Sequence, residues 1–130
     1  MNWVAGVVLL SLIEYLVFGA LVGRARGKYA IAAPAVSGHP MFERYFRVHQ
    51  NSLEQLIVFI PAVWLFGGYV SPLVAAILGA IFIVARIVYA VGYIGAPERR
   101  GSGSGLSFLM QIVLVVGALY GVIRSLIVAG

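Results

Sequence analysis

Cysteine is absent from the 130-residue sequence, and only two histidines are present, His39 and His49. Without cysteine the chain forms no disulfide, builds no thiolate metal site and carries no cysteine nucleophile. Any thiol chemistry therefore needs a substrate that brings the sulfur. Two histidines are too few for a zinc site built from the usual protein ligands, so we expect no metal.

Charged residues are also scarce, at 10% of the chain, whereas hydrophobic residues make up 62%. A soluble domain of this size is near half apolar, so this excess indicates an integral membrane protein. In a soluble protein the net charge of +5 would raise the question of nucleic acid. Here the basic residues lie in connections beside apolar segments, which favours a topological role and predicts no nucleic-acid partner.

What the chain has instead is four long apolar runs, at about residues 3–23, 46–69, 72–95 and 106–128. Each run is long enough to cross a hydrocarbon core of about 30 Å as a helix. Their continuity excludes barrel strands, in which polar and apolar residues alternate. We therefore predict one all-α domain over residues 1–130, an integral membrane bundle of four transmembrane helices. Glu14 interrupts the first run, which favours a retained helix over a cleaved signal peptide.

The three connections between the runs differ in length and charge. The first, residues 24–42, is long and basic, and we expect it to be a loop. The second, about residues 67–71, is short and uncharged, and the third, residues 96–105, ends in Gly-Ser-Gly-Ser-Gly. With four crossings, the first and third connections lie on the same side of the membrane and hold nearly all basic residues outside the runs. The positive-inside rule places them in the cytoplasm and both termini opposite, at the inner membrane if the source is bacterial.

Polar side chains concentrate where the second run begins. Four of them recur three, four and three positions apart, on one helix face: Arg44, Arg47, Asn51 and Glu54. Charged groups at the edge of lipid persist only where they face protein, water or a ligand. The set favours a small zwitterionic ligand that carries carboxylates. A structural alternative is an ion pair between Arg47 and Glu54 that only locks the bundle.

A second polar stripe lies near the end of the third run, at Arg86, Tyr89 and Tyr93. Because the second and third runs are antiparallel, both stripes lie at one depth, which predicts a pocket at the cytoplasmic interface. The tyrosines also fit a belt of interfacial aromatic residues. A buried Arg86 needs a carboxylate partner, either Glu14 or Glu54.

Two segments resemble the signatures of one membrane family. Residues 42–54, FERYFRVHQNSLE, and residues 85–93, ARIVYAVGY, are similar to motifs of the membrane-associated proteins in eicosanoid and glutathione metabolism, the MAPEG family. The likeness covers nearly the whole chain and is strongest to the branch of microsomal glutathione transferases and leukotriene-C synthases. It implies a homotrimer of four-helix subunits with glutathione bound between neighbours.

The resemblance also implies roles for individual residues. It assigns glutathione contacts to six of them: Arg26, Arg47, Asn51, Glu54, Tyr89 and Tyr93. Arg100 matches the arginine that stabilises the glutathione thiolate, with Arg99 and Arg26 as alternatives. Gln55 stands where leukotriene-C synthases have a tyrosine, which favours a general transferase or peroxidase.

The chemistry of these side chains suits glutathione, which carries two carboxylates, an ammonium group and a thiol. Arginine forks bind carboxylates, a carboxylate such as Glu54 binds ammonium, and a guanidinium beside sulfur favours the thiolate. We predict a membrane-bound glutathione transferase, with peroxidase activity as an option, whose second substrate is a lipophilic electrophile or lipid hydroperoxide from the membrane. Two alternatives stay open: a non-catalytic lipid- or glutathione-binding scaffold of the same fold, and a proton-coupled multidrug exporter that uses Glu14.

Overall fold

The computed structural model describes residues 1–130, except for the side chain of Arg100. Across these residues the chain forms four α-helices, with a short 3-10 turn at Pro97–Arg100. The helices are α1 (Asn2–Tyr29), α2 (Pro40–Tyr69), α3 (Pro72–Gly95) and α4 (Gly101–Ala129). All four are long and apolar enough to cross a membrane, judged by length and composition. The predicted all-α, four-helix membrane architecture is confirmed.

The first connection is shorter than predicted, because it covers residues 30–39 rather than residues 24–42. Arg24, Arg26 and Lys28 therefore lie on the last turns of α1 instead of in a loop. Arginine and lysine are good helix formers, and cations near a helix C-terminus interact favourably with its exposed carbonyl groups. The helix thus continues for six residues beyond the apolar run that predicted it.

Local signals define both borders of this connection. Ala30 ends α1 with a left-handed conformation, φ 56° and ψ 44°, and its N–H donates to the carbonyl of Arg26. At the other border His39 caps α2, because its Nδ1 accepts a hydrogen bond from the Met41 N–H at 3.1 Å. Pro40 takes the first helical position, where the missing N–H has no intrahelical partner to lose.

The Gly-Ser-Gly-Ser-Gly segment, predicted to lie in the third connection, forms the first turns of α4 instead. Gly103 explains the difference. A Cβ atom added there would lie 2.7 Å from the Cα of Tyr89 and 2.8 Å from the carbonyl oxygen of Ala85. Glycine therefore lets the backbones of α3 and α4 approach closely, as small residues do between membrane helices. Tertiary packing thus outweighs the low helix propensity of glycine.

The central helices of the bundle are α2 and α3, since each packs against the other three helices. Their contact is centred on Phe59 and Phe82, two fully buried rings that stack with centroids 4.0 Å apart. Large apolar side chains cover the outer surfaces of all four helices, as expected for a chain that faces lipid.

The start of α2 and the end of α3 meet at one end of the bundle. Arg44 on α2 donates from Nη1 to the carbonyl oxygen of Ile94 on α3, over 2.9 Å. The first connection and the 3-10 turn lie at this end, together with the basic last turns of α1. We call it the basic end, and both polar stripes approach it.

Candidate functional site

The α2 face that carries Arg47 and Glu54 points away from the bundle. Nη1 of Arg47 lies 3.8 Å from Oε1 of Glu54, and these side chains are 53% and 60% exposed. The predicted ion pair therefore forms, but both partners belong to α2 and the pair ties no second helix to it. Because hydrocarbon does not solvate charges, such a face needs a second subunit, water or a ligand over it.

Asn51 lies between these two residues in the sequence and is half-buried. Its Oδ1 atom is buried and has no hydrogen-bond partner among the described residues. An amide oxygen in that position is costly unless a donor reaches it. Together, Arg47, Asn51 and Glu54 present a cation, an acceptor and an anion on neighbouring turns, and we call these three residues the α2 polar face.

Arg44 does not belong to this face, although the spacing predicted that it would. Its Nη1 donates to the carbonyl oxygens of Ile94 at 2.9 Å and Gly95 at 3.4 Å. These carbonyls are among the last of α3, which have no partner within their own helix. Arg44 therefore joins α2 to the end of α3 and neutralises the negative end of that helix.

Tyr89 and Tyr93 lie on α3 with their rings stacked, at a centroid distance of 5.7 Å. Tyr89 is only 3% exposed and packs with Phe18 of α1 and Val48 of α2. Tyr93 is half-buried and reaches the surface of the subunit. The two predicted contacts thus differ in access, and Tyr93 is the one that an external ligand reaches more easily.

Arg86 is the largest buried polar side chain among the described residues and is 1% exposed. Its Nη2 donates to Oγ of Ser52 at 3.1 Å, and its guanidinium carbon lies 4.3 Å from the centroid of the Tyr89 ring. Arg86 thus contacts both helices of the predicted pocket. It holds the residue after Asn51 on α2 and the first tyrosine on α3.

Glu14 is the carboxylate that faces Arg86, since both line one narrow cavity with Ser11 and Ser52. Glu54, the other predicted partner, is committed to the outer face. Within the described part of the chain, Glu14 and Arg86 make no direct ion pair. Three of their buried atoms have no hydrogen-bond partner there: Oε2 of Glu14 and both Nε and Nη1 of Arg86. The two charges therefore compensate each other across a gap between α1 and α3.

Arg26 fastens the first connection to the bundle. Its Nη1 donates to the carbonyl oxygens of Ala35 at 2.7 Å and Ile31 at 3.4 Å, and its guanidinium carbon lies 5.0 Å from the centroid of the Phe42 ring. This guanidinium is already engaged in the subunit. The side chain of Arg100, the predicted thiolate stabiliser, lies outside the described residues, and its role stays a prediction.

Two further polar contacts connect α2 to its outer neighbours. Nε2 of Gln111 on α4 donates to Oε1 of Gln55, which forms a hydrogen bond between α4 and α2. On the other side the ring of His49 stacks on Tyr15 of α1, at a centroid distance of 4.5 Å. His49 is therefore a packing residue between α1 and α2.

Ser52 is the member of this region that sequence reasoning missed. Serine is common in membrane helices, and its type alone carries little signal. The position of Ser52 is more informative than its type. Ser52 follows Asn51 directly, so its side chain projects about 100° around the helix from Asn51, toward α3. A search for hydrogen-bond acceptors opposite Arg86 at the same depth would have found it.

Fold and site together define a multi-pass membrane protein, with four helices and a charged site at one end of the bundle. Within that class the chain belongs to the MAPEG family, whose family model matches residues 4–120. The family resemblance predicted from the two motifs is thereby confirmed.

Several characterised and uncharacterised proteins are similar to this chain along most of its length. Microsomal glutathione S-transferase 2 of Mus musculus is 47% identical over 118 residues, which cover 91% of this chain and 80% of that protein. An uncharacterized protein of Synechocystis sp. is 47% identical over 124 residues, or 95% of this chain and 90% of its own. Leukotriene C4 synthase of Cavia porcellus is 31% identical over 96 residues, which cover 74% of this chain and 64% of that protein.

Proposed function

We propose that this protein is a membrane-bound glutathione transferase that conjugates glutathione, bound as its thiolate, to lipophilic electrophiles. The α2 polar face carries the proposal, because it holds opposite, largely exposed charges on the outside of a membrane-spanning helix. The name of the similar microsomal glutathione S-transferase 2 supports glutathione as the ligand. Reduction of lipid hydroperoxides and a role in detoxification fit the same site.

Each charged group of glutathione has a complementary side chain on this face. Arg47 suits a carboxylate and Glu54 suits the γ-glutamyl ammonium. Their mutual contact at 3.8 Å is largely exposed, and exposed pairs of this kind contribute about 0–1 kcal/mol. When a zwitterionic ligand binds, the weak Arg47–Glu54 pair is therefore replaced by two charge-assisted pairs, one between Arg47 and a carboxylate and one between Glu54 and the ammonium group. The side-chain amide of the half-buried Asn51, which lies between them in the sequence, can form a hydrogen bond with the peptide.

The thiolate needs a cation beside the sulfur. Arg100 is our choice, since it follows α3 at the basic end and matches the family motif. Arg99 is an alternative in the same 3-10 turn. Arg26 is disfavoured by its hydrogen bonds to the first connection, because binding sulfur would break contacts that already hold it.

The site is proposed to be complete only in a homotrimer. More than half of the Arg47 and Glu54 side-chain surface is exposed in a single subunit, and a neighbouring subunit would cover it and enclose the ligand. Tyr93 and the basic end of one copy would then meet the α2 polar face of another. The excess of basic residues at this end supports a cytoplasmic location for it, with both termini on the opposite side, according to the positive-inside rule.

The exporter alternative rests on Glu14 as a proton carrier. Its carboxylate shares a narrow cavity with the buried Arg86. The α2 polar face has no role in that alternative. In the glutathione proposal, Glu14 and Arg86 have a structural role and the α2 polar face binds the ligand.

The test measures conjugation of glutathione to a chromogenic aryl halide by the detergent-purified protein, together with the ultraviolet band of bound thiolate. Arg47→Gln and Glu54→Gln should each raise the KM for glutathione, whereas Arg124→Gln on the last turns of α4 should not. Arg100→Ala should abolish the thiolate band and leave the helix content unchanged. Absence of both turnover and the band in the unaltered protein contradicts the proposal. Binding without turnover would select a non-catalytic scaffold.

A further inference from the structure

A basic depression opens on the outer surface of the subunit where α1 leaves the apolar zone. It is lined by side chains of α1 and by one tyrosine of α2: Leu21, Arg24, Ala25, Lys28, Tyr29 and Tyr45. On α2, Tyr45 lies two positions before Arg47 and nine before Glu54. At 100° per residue it projects about 160–180° away from both. The depression is therefore separate from the α2 polar face.

The depression presents cations that lack an anion. Arg24 and Lys28 are one helical turn apart and both are exposed. No carboxylate of the described residues forms an ion pair with either. Nζ of Lys28 lies 5.5 Å from the centroid of the Tyr29 ring, which holds the ammonium at one border. With the hydroxyl groups of Tyr29 and Tyr45 as further donors, this set suits a phosphate.

The depth of the depression matches the phospholipid headgroups. α1 has 28 residues and is therefore about 42 Å long, whereas the hydrocarbon core is about 30 Å thick. Arg24 is the first charged residue after the apolar run ends at Gly23. The last turns of α1 extend past the hydrocarbon, and their cations lie where lipid phosphates lie.

An apolar track leads from the depression into the bilayer. Val17 lies one turn before Leu21 and two turns before Arg24 on the same α1 face, and Ile13 and Leu10 continue that face. All three track residues are among the exposed large hydrophobic side chains. A soluble anion has no apolar part to pack against this track, whereas the acyl chain of a lipid can pack along it.

We propose that this depression binds the phosphate of an anionic phospholipid, with one acyl chain packed along Ile13 and Val17. Arg24 and Lys28 pair with the phosphate, and the hydroxyl group of Tyr45 hydrogen-bonds to it. Lipid bound there stabilises the junction between α1 and α2. This lipid site does not depend on glutathione chemistry, so its experiment tests it independently of the proposed function.

The experiment titrates the purified, full-length protein in neutral detergent with phosphatidylglycerol or phosphatidylcholine and counts bound lipids by native mass spectrometry. The double variant Arg24→Gln/Lys28→Gln should weaken phosphatidylglycerol binding about 30-fold, at about fivefold for each interfacial cation. The matched control Arg124→Gln, also an exposed arginine near a helix end, should stay within about twofold. Phosphatidylcholine should bind weakly to all forms.

Further variants keep the interpretation specific. Arg24→Lys/Lys28→Arg should retain phosphatidylglycerol binding, and Tyr45→Phe should weaken it by less than the double variant. Circular dichroism confirms that each variant keeps its helix content. Equal losses in the double variant and in Arg124→Gln, or no loss in either, overturn the proposal. Saturable binding of inorganic phosphate or free glutathione that displaces the lipid would instead assign the depression to a soluble anion and overturn the lipid assignment.

Discussion

Replacing Gly103 by alanine should separate the basic ends of α3 and α4. The added Cβ would lie 2.7 Å from the Cα of Tyr89 and 2.8 Å from the carbonyl oxygen of Ala85. Both are backbone atoms in the middle of α3, so no side-chain rotation relieves the overlap. The two helices must move apart, and Tyr89, a predicted glutathione contact, must move with its helix.

The expected magnitude follows from two opposing effects. Overpacking a close contact costs about 1–3 kcal/mol, and rigid backbone neighbours favour the upper end of that range. Alanine in place of glycine inside a helix contributes about 0.5–1 kcal/mol in the other direction. Gly103→Ala should therefore lower the free energy of unfolding by about 1–2 kcal/mol.

Gly105→Ala is the matched control. Gly105 lies two residues along the same helix and is exposed, and no atom of the described residues lies within 4 Å of its added Cβ. It should show only the gain in helix propensity. The stability difference between the two variants, about 1.5–3 kcal/mol, isolates the cost of overpacking. Thermal and chemical unfolding in detergent, followed by tryptophan fluorescence, measures it, and glutathione affinity should fall in Gly103→Ala alone.

Equal stability of the two variants would refute this reasoning. It would mean that the Gly-Ser-Gly-Ser-Gly segment is an unpacked connection, as its composition alone suggests. A destabilised Gly105→Ala would also contradict it, because no described atom would contact a methyl group there.

The remaining predictions concern buried or capping polar groups. Arg86→Leu should cost about 3–5 kcal/mol in unfolding experiments, because the half-buried Glu14 loses the cation that compensates its charge. A combined Glu14→Leu/Arg86→Leu variant should recover much of the loss, and no recovery would disprove this compensation. Gln111→Leu should cost about 1–3 kcal/mol by leaving Gln55 unsatisfied, and simple additivity with Gln55→Leu would argue against their hydrogen bond. Arg26→Gln should speed hydrogen exchange across residues 30–39, whereas unchanged exchange would show that Arg26 does not anchor them.

The number of helices could be predicted from sequence, because only a few backbone structures can cross a lipid bilayer. A run of about 20 apolar residues has to satisfy its backbone internally, which makes it a helix. The ends of the helices were harder to predict. Arg24 and Lys28 are polar enough for a loop but also form helix well. Gly103 is a helix breaker by propensity, and only the proximity of Tyr89 explains why glycine is needed there.

The site was predictable where helical spacing decides it. Residues three and four apart share a face, and this placed Arg47, Asn51 and Glu54 together. Arg44 and Arg26 were different, because long arginine side chains reach carbonyl groups on other segments, and spacing does not reveal those acceptors. The partner of Arg86 stayed ambiguous for a related reason, since two carboxylates lay at suitable depths.

The central claim is that the α2 polar face binds glutathione through Glu54. The most direct test compares glutathione with an analogue that lacks the γ-glutamyl amino group, by calorimetric titration of the unaltered protein and of Glu54→Gln. The unaltered protein should bind glutathione about 10- to 100-fold more tightly than the analogue, as expected for a charge-assisted hydrogen bond. Glu54→Gln should bind the two ligands with nearly equal affinity. Undiminished discrimination in Glu54→Gln would show that the ammonium group binds elsewhere and would contradict the proposed site.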